Sequence, residues 1–194
     1  MSIQRFKFDE LPVTRWKNGG GATREAVNWP PGAGIDAFDW RVSIASITAS
    51  GPFSVFPDVD RQIMLLEGDG VRLKSERFDH ALATRLEPFA FDGGVATDCT
   101  LLGGPSVDFN VMGRPSVGRA ELRILDEATD LPRMAHGLLM SVEGQWRMGG
   151  SNLAQGQGVW WAFQMEEWHV KPASRGARLA MVAWWPTRGD MPSP

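Results

Sequence analysis

The stretch DWRVSIASI, Asp39 to Ile47, repeats with a period of two. Trp40, Val42 and Ile44 fall on one face, and Arg41 and Ser43 on the other. That alternation belongs to a β-strand, because a helix would group residues three and four apart. Further along, RQIMLLEGDGVRLKS (Arg61 to Ser75) reads as strand, turn, strand. Gln62 to Leu66 form the first arm, Glu67 to Gly70 the turn and Val71 to Lys74 the second arm. Glycine and aspartate suit a hairpin loop there, since both tolerate positive φ. FAFDGG, CTLLGG, VDFNVMG and AELRILDE are further short strands bounded by glycine or acidic residues. Long amphipathic helix patterns are absent, so the expected class is an all-β sandwich or barrel.

An internal echo extends this reading. LLEGDGVRL (Leu65 to Leu73) and SVEGQWRM (Ser141 to Met148) both place Glu-Gly after an apolar run, with a basic residue shortly after. The two glutamates, Glu67 and Glu143, lie 76 residues apart. An aromatic strand follows in each half, PFAF in the first and VWWAF in the second. Two small β-barrels would produce such a pattern. The joint is expected in the polar DEATDLPRMAH, Asp126 to His136, dividing the chain into 1–126 and 127–194. Without a Gly/Ser tract, that segment reads as a tight fusion in which strands can be exchanged between the halves.

The 194 residues carry a net charge of -3, with 43% hydrophobic and 22% charged residues. Such a composition suits a globular protein and gives no general positive field for nucleic acid. The first twelve residues, MSIQRFKFDELP, mix charged and apolar side chains. They do not make the apolar region of a signal peptide. No apolar run approaches the ~20 residues that span a bilayer. The expected location is the cytoplasm, with neither membrane nor nucleic acid as a partner. The single cysteine, Cys99, cannot form an intramolecular disulfide and reads as a buried, inert thiol.

Near the start lies WKNGGGATRE, Trp16 to Glu25, with three consecutive glycines. It is not a phosphate-binding P-loop, because Lys17 precedes the glycines and no helix pattern follows. Nor is it a dinucleotide fingerprint, for want of a βαβ context. Two readings stand. As a pocket element, Gly19, Gly20 and Gly21 would let the backbone approach an anion, while Lys17 adds charge and Asn18 an amide. As a plain edge turn, the same charges would be solvated. Thr23 and Glu25 would share a face if the chain continues as a strand. The three histidines, His80, His136 and His169, are far apart in sequence. Glu167 and His169 in EEWHV offer two ligands on one strand face, too few to define a metal site. No Gly-x-Ser-x-Gly elbow is present, so neither metal catalysis nor a serine nucleophile is expected, and no cofactor.

WKNGGGATRE, FDWRVSIASI, GPFSVFPDVDR, LLEGDG and DFNVMGR, in that order and spacing, resemble the HutD/Ves family. The resemblance runs from about Phe6 through Arg114 and is looser beyond. It implies a cupin-like bicupin, two β-barrels in one chain of the RmlC-like type, with no established enzymatic activity. It also implies a small-molecule-binding, regulatory role in histidine utilisation. Urocanate or a formylglutamate-like carboxylate would be the natural ligand. Two departures bear on the ligand: Asp58 stands where the family often has glycine, and Pro115 where it often has a second arginine.

The matched residues suit an acidic ligand on elementary grounds. Arg41 and Arg61 can hold a carboxylate bidentately. Asp108 and Asn110 lie two apart and so share a strand face, with Phe109 and Val111 opposite. The expected ligand-binding set is Lys17, Asn18, Gly19, Gly20, Gly21, Thr23, Glu25, Arg41, Arg61, Asp108, Asn110 and Arg114. The first expectation is a non-catalytic binder, with homodimerisation allowed. The alternative is a metal-independent cupin-like isomerase or hydrolase using Glu25 or Asp108 as acid or base. A third is an interaction module docking a partner through exposed Trp160 or Trp161.

Overall fold

The computed structural model describes residues 3–164 and 167–187. Their secondary structure is β apart from one 3-10 turn, Phe8–Glu10. Among the described residues no helix is long and apolar enough to cross a membrane. In chain order the strands begin with β1 (Gln4–Lys7), β2 (Val13–Arg15), β3 (Gly21–Trp29), β4 (Trp40–Ile47) and β5 (Gly51–Pro52). Next come β6 (Asp60–Gly68), β7 (Val71–Lys74), β8 (Asp79–Leu82), β9 (Phe89–Asp92), β10 (Asp98–Leu101) and β11 (Ser106–Gly113). The remainder are β12 (Gly118–Leu125), β13 (Thr129–Leu131), β14 (His136–Glu143), β15 (Trp146–Met148), β16 (Ser151–Leu153), β17 (Gln157–Ala162), β18 (Trp168–Pro172) and β19 (Arg178–Pro186).

The chain forms two compact units, and the division differs from the one expected at Asp126. One unit is Pro12–Val117; the other combines the N-terminal segment through Leu11 with the chain from Gly118 onward. The reason is strand pairing. β12 pairs along its whole length with β19, and β1 pairs with β17, so both belong to the second unit. The segment from Asp126 to His136 contains β13, which pairs with β18 inside that unit.

In the first unit a six-stranded sheet, ordered β2-β3-β4-β11-β6-β9, accompanies a four-stranded one, β5-β10-β7-β8. The second unit has sheets ordered β1-β17-β14-β19-β12 and β13-β18-β15-β16. Eight strands correspond one for one, each displaced by eight places: β4, β11, β6 and β9 match β12, β19, β14 and β17, and the four-stranded sheets match throughout. Both units also carry a β-bulge at the same point. Leu66 is the extra residue where β6 pairs with β11, and Val142 where β14 pairs with β19. The Glu67 and Glu143 echo thus marks equivalent strand ends.

One local expectation is corrected. The Glu67–Gly70 turn does not close a hairpin, because β6 and β7 lie in different sheets. It carries the chain around a corner. Gly68 and Gly70 have φ of +92° and +86°, and a Cβ at either would meet a backbone carbonyl oxygen at 2.1 or 2.2 Å. Asp69 fixes the corner by accepting a 2.6 Å hydrogen bond from the Gly104 amide.

The interiors of the units differ in chemistry. In the second, Trp146 and Trp161 are fully buried among Leu139, Leu153, Val159 and Met181. Trp161 is therefore no surface docking residue; its indole donates to the Met134 carbonyl at 3.0 Å. In the first, Ile47, Ile63, Leu65, Leu73 and Phe91 form an apolar cluster. A set of buried polar groups, Arg41, Ser43, Arg61, Ser106, Asp108 and Asn110, accompanies it.

Candidate ligand-binding site

Strand register explains why those polar groups meet. Arg41 and Arg61 both pair with Met112, Ser43 and Ile63 with Asn110, and Ala45 and Leu65 with Asp108. Residues directly paired across a sheet share a face, so these side chains project together with the Ile63 and Leu65 that build the apolar cluster. On β3, Thr23 pairs with Ala45 and Glu25 with Ser43, which puts both on the same face. The sequence alternation of Arg41 with Ser43 and of Asp108 with Asn110 is thus the inner face of the first unit.

Arg41 is 8% exposed in its side chain and donates from Nε to Glu25 Oε2 at 2.6 Å, while Glu25 is 42% exposed. Its Nη1 also reaches Ser43 Oγ at 3.3 Å. Arg61 is treated differently. Its Nη2 donates to Asn110 Oδ1 at 3.0 Å, and among the described residues it has no carboxylate partner. Its Nε is buried without a hydrogen-bond partner. Aromatic rings surround the guanidinium instead: Phe91 at 4.9 Å, Phe53 at 5.1 Å and Phe56 at 5.7 Å from its Cζ. Burial, with the nearby Arg41 charge adding to it, lowers the Arg61 pKa to about 10. A guanidinium there still carries its charge at neutral pH.

Asp108 lies two residues before Asn110 on β11 and is wholly buried. Oδ1 accepts a long 3.5 Å bond from Ser106 Oγ, and Oδ2 is buried without a partner. Burial raises its carboxyl to about 7, against a small opposing effect of the Ser106 hydroxyl. The Cys99 thiol is pushed up to about 12 by burial and then by the Asp108 charge, with Arg61 opposing. That thiol is inert at neutral pH.

The glycine run forms the loop of the β2–β3 hairpin, since Arg15 pairs with Ala22. Gly19 has φ +72°, and Asn18 Oδ1 accepts the Gly20 amide at 3.0 Å, closing an Asx turn. A Cβ on Gly21 would sit 2.4 Å from the Ser46 carbonyl oxygen and 3.0 Å from the Trp16 ring. Trp16 packs against the apolar cluster and donates from Nε1 to Thr23 Oγ1 at 2.8 Å. The loop thereby covers the Thr23 end of the inner face, with Lys17 and Asn18 exposed at its tip.

Of the expected residues, Thr23, Glu25, Arg41, Arg61, Asp108 and Asn110 come together on this face. Arg114 is held elsewhere. Its Nε donates to the Phe38 carbonyl at 2.9 Å and its Nη2 to the Asp36 carbonyl at 2.6 Å, so it clamps a loop. Glu167 and His169 pair separately, with Arg133 at 3.0 Å and Asp130 at 2.7 Å; Glu166 lies outside the described residues. Among the described residues no three His, Cys, Asp or Glu side chains are placed to hold a metal ion. Sequence reasoning missed Ser43, Ser106, Trp16 and the cage of Phe53, Phe56 and Phe91. The phenylalanines in GPFSVFP and FAF were a usable signal, being spaced two and three apart around Arg61.

This fold and this face define a cupin-like, all-β protein with a buried cluster of cations and polar groups in one unit. The HutD family model matches residues 9–180. Protein Ves of Escherichia fergusonii is 37% identical over 161 residues, covering 82% of this chain and 83% of the relative. The structure of HutD from Pseudomonas fluorescens SBW25 (formate condition) superposes with a TM-score of 0.85 at 28% identity, covering 96% of this chain and 100% of that one. A bacterial pirin of Escherichia coli in complex with nickel(II) superposes at 0.69 with 12% identity, over 96% of this chain and 100% of the pirin, a likeness of fold alone. The chain belongs to the HutD/Ves family.

Proposed function

We propose that the first unit binds a small carboxylate metabolite between Arg61 and Arg41 without turning it over. In this reading each unit is a cupin-like barrel, the chain is a cytoplasmic bicupin, and binding serves a regulatory role in histidine utilisation. Urocanate and formylglutamate are the candidate ligands. The supporting observation is Arg61: a buried guanidinium that no carboxylate among the described residues pairs with, and whose Nε has no hydrogen-bond partner among them. An uncompensated buried charge is costly, and a ligand carboxylate would relieve that cost while accepting the free N–H. Arg41 is already paired with Glu25, whose exposed side opens the cluster to solvent.

Titration calorimetry with urocanate and with formylglutamate tests this, together with chromatography of the recovered ligand. Saturable binding of one of them, loss of at least tenfold affinity in Arg61→Ala, and unchanged ligand are expected. No binding of either would overturn the carboxylate reading. Consumption of the ligand would favour the enzymatic alternative, for which the Asp108 carboxyl near pH 7 would be a suitable acid or base.

A further inference from the structure

We infer that the ligand is two-ended: its carboxylate sits at Arg61, and a neutral N–H group at its other end donates to the free carboxyl oxygen of Asp108. This rests on the carboxylate reading above and makes it more specific.

On the inner face, Arg61 Nε and Asp108 Oδ2 are buried without a partner among the described residues. One is a donor and the other an acceptor, so one molecule with complementary ends can satisfy both. Asn110 stands between them. It accepts from Arg61 Nη2 at 3.0 Å, and its own Nδ2 turns to the Asp108 backbone carbonyl at 3.4 Å. Arg61 is registered against Met112, but its guanidinium reaches along the face to Asn110, and Asn110 and Asp108 lie two residues, about 7 Å, apart on β11. That separation suits a small metabolite with a few bonds between its polar ends.

The groups beside this span set the character of the ligand's middle. Ile63 and Leu65 on β6 and the Cys99 thiol on β10 belong to the apolar cluster. A flat or apolar spacer fits against them. The ends differ in charge. Arg61 on β6 and Arg41 on β4 are cationic, with Glu25 on β3 answering Arg41, whereas among the described residues the far end carries the Asp108 carboxyl, its Ser106 neighbour, the Thr23 hydroxyl in the same cross-strand row and the neutral Cys99 thiol. A second carboxylate would face Asp108 and be repelled once that group is ionised. An N–H end meets an acceptor instead. The ligand class is therefore a monocarboxylate with a distal N–H rather than a dicarboxylate, which selects urocanate over formylglutamate between the two candidates above.

The test is calorimetry at pH 8, where Asp108 is largely ionised, using urocanate, 3-(2-furyl)acrylate and glutarate. The furan keeps the carboxylate and the flat ring but has no N–H. Wild-type protein should bind urocanate at least about tenfold more tightly than either comparison ligand. In Asp108→Asn, urocanate should lose most of that advantage while furylacrylate affinity stays within about twofold. The ligand comparison in wild-type protein stands without the variant, should the variant fail to fold. Equal binding of urocanate and furylacrylate, or an advantage that survives in Asp108→Asn, would overturn the two-ended ligand and leave the carboxylate reading intact. Binding of none of the three would overturn the two-ended ligand, and absence of formylglutamate binding as well would overturn the carboxylate reading.

Discussion

Arg61 on β6 and Phe91 on β9 are direct cross-strand partners, with the guanidinium carbon 4.9 Å from the ring centroid. Their counterparts in the second unit are Gly137 and Trp161, likewise paired across β14 and β17. There the Trp161 ring lies against the glycine, 2.4 Å from where a Cβ would stand, so that position has no room for a side chain such as the arginine of the first unit. The same strand framework therefore encloses a charged face in one unit and a dry aromatic plug in the other.

Arg61→Met should separate binding from stability. Methionine fills much of the same volume and removes a buried charge that no carboxylate among the described residues pairs with, so the ligand-free protein should be as stable or more stable. Carboxylate affinity should fall about 10- to 100-fold, since a charge-assisted hydrogen bond contributes roughly 1.5–3 kcal/mol. Melting temperature without ligand and the dissociation constant check this. A loss of more than about 2 kcal/mol of ligand-free stability would mean that Arg61 serves the fold.

Gly137→Ala should destabilise the protein, because its Cβ would lie 2.4 Å from the buried Trp161 ring. Overpacking of this kind costs typically 1–3 kcal/mol. In a Trp161→Phe background the same change should cost clearly less, giving a measurable coupling in a double-mutant cycle. Additive effects in urea unfolding would contradict the account of the plug.

Two buried groups should pull the pH dependence in opposite directions. Burial raises the Asp108 carboxyl from its ordinary 3.8 to about 7. The folded state then holds a proton that the unfolded chain loses, so this contribution is full below about pH 4 and is lost as pH rises through about 7. Burial lowers the His136 imidazole from 6.5 to about 4, where it packs against the Phe163 and Trp184 rings. Its contribution is present above about 6.5 and is lost as pH falls through about 4. Asp108→Asn should leave only the His136 slope, so stability should rise from pH 4 to 6.5 more steeply than in wild type. At pH 8 the variant should gain on the order of 1–4 kcal/mol. An unchanged pH profile would show that Asp108 titrates normally.

Elemental analysis after purification in metal-free buffers should find well under one transition metal per chain, because no cluster of three ligand side chains is present among the described residues. Stoichiometric metal would place ligands outside those residues and would reopen the enzymatic reading.

Much of the fold was legible because alternation survives wherever one face is polar. Arg41 with Ser43 and Asp108 with Asn110 announced their strands and their shared face. RQIMLLEG was less informative, since Ile63, Met64 and Leu65 are all buried and no alternation distinguishes their faces. The inward aim of Arg61 was therefore invisible until β6 could be registered against β11. The Glu67–Gly70 corner looked like a hairpin because glycine with positive φ serves both; only the pairing of β6 and β7 with different sheets decides. The boundary at Val117 escaped notice because β12 carries no sign of which unit supplies its partner, and that partner, β19, lies at the far end of the chain. The place of Arg114 was not legible, because an arginine that bonds the Phe38 and Asp36 carbonyls and one that faces a ligand look alike in sequence.

The matched bulges at Leu66 and Val142 act as a common ruler for the two units. Counting back from each bulge by five residues reaches Arg61 in one strand and Gly137 in the other. The backbone register is therefore the same at both positions, and the contrast between a cation and an aromatic filling is made by side chains alone. Exchanging the residues at these two positions, together with their partners Phe91 and Trp161, is thus a change of contents that the strand framework itself does not oppose.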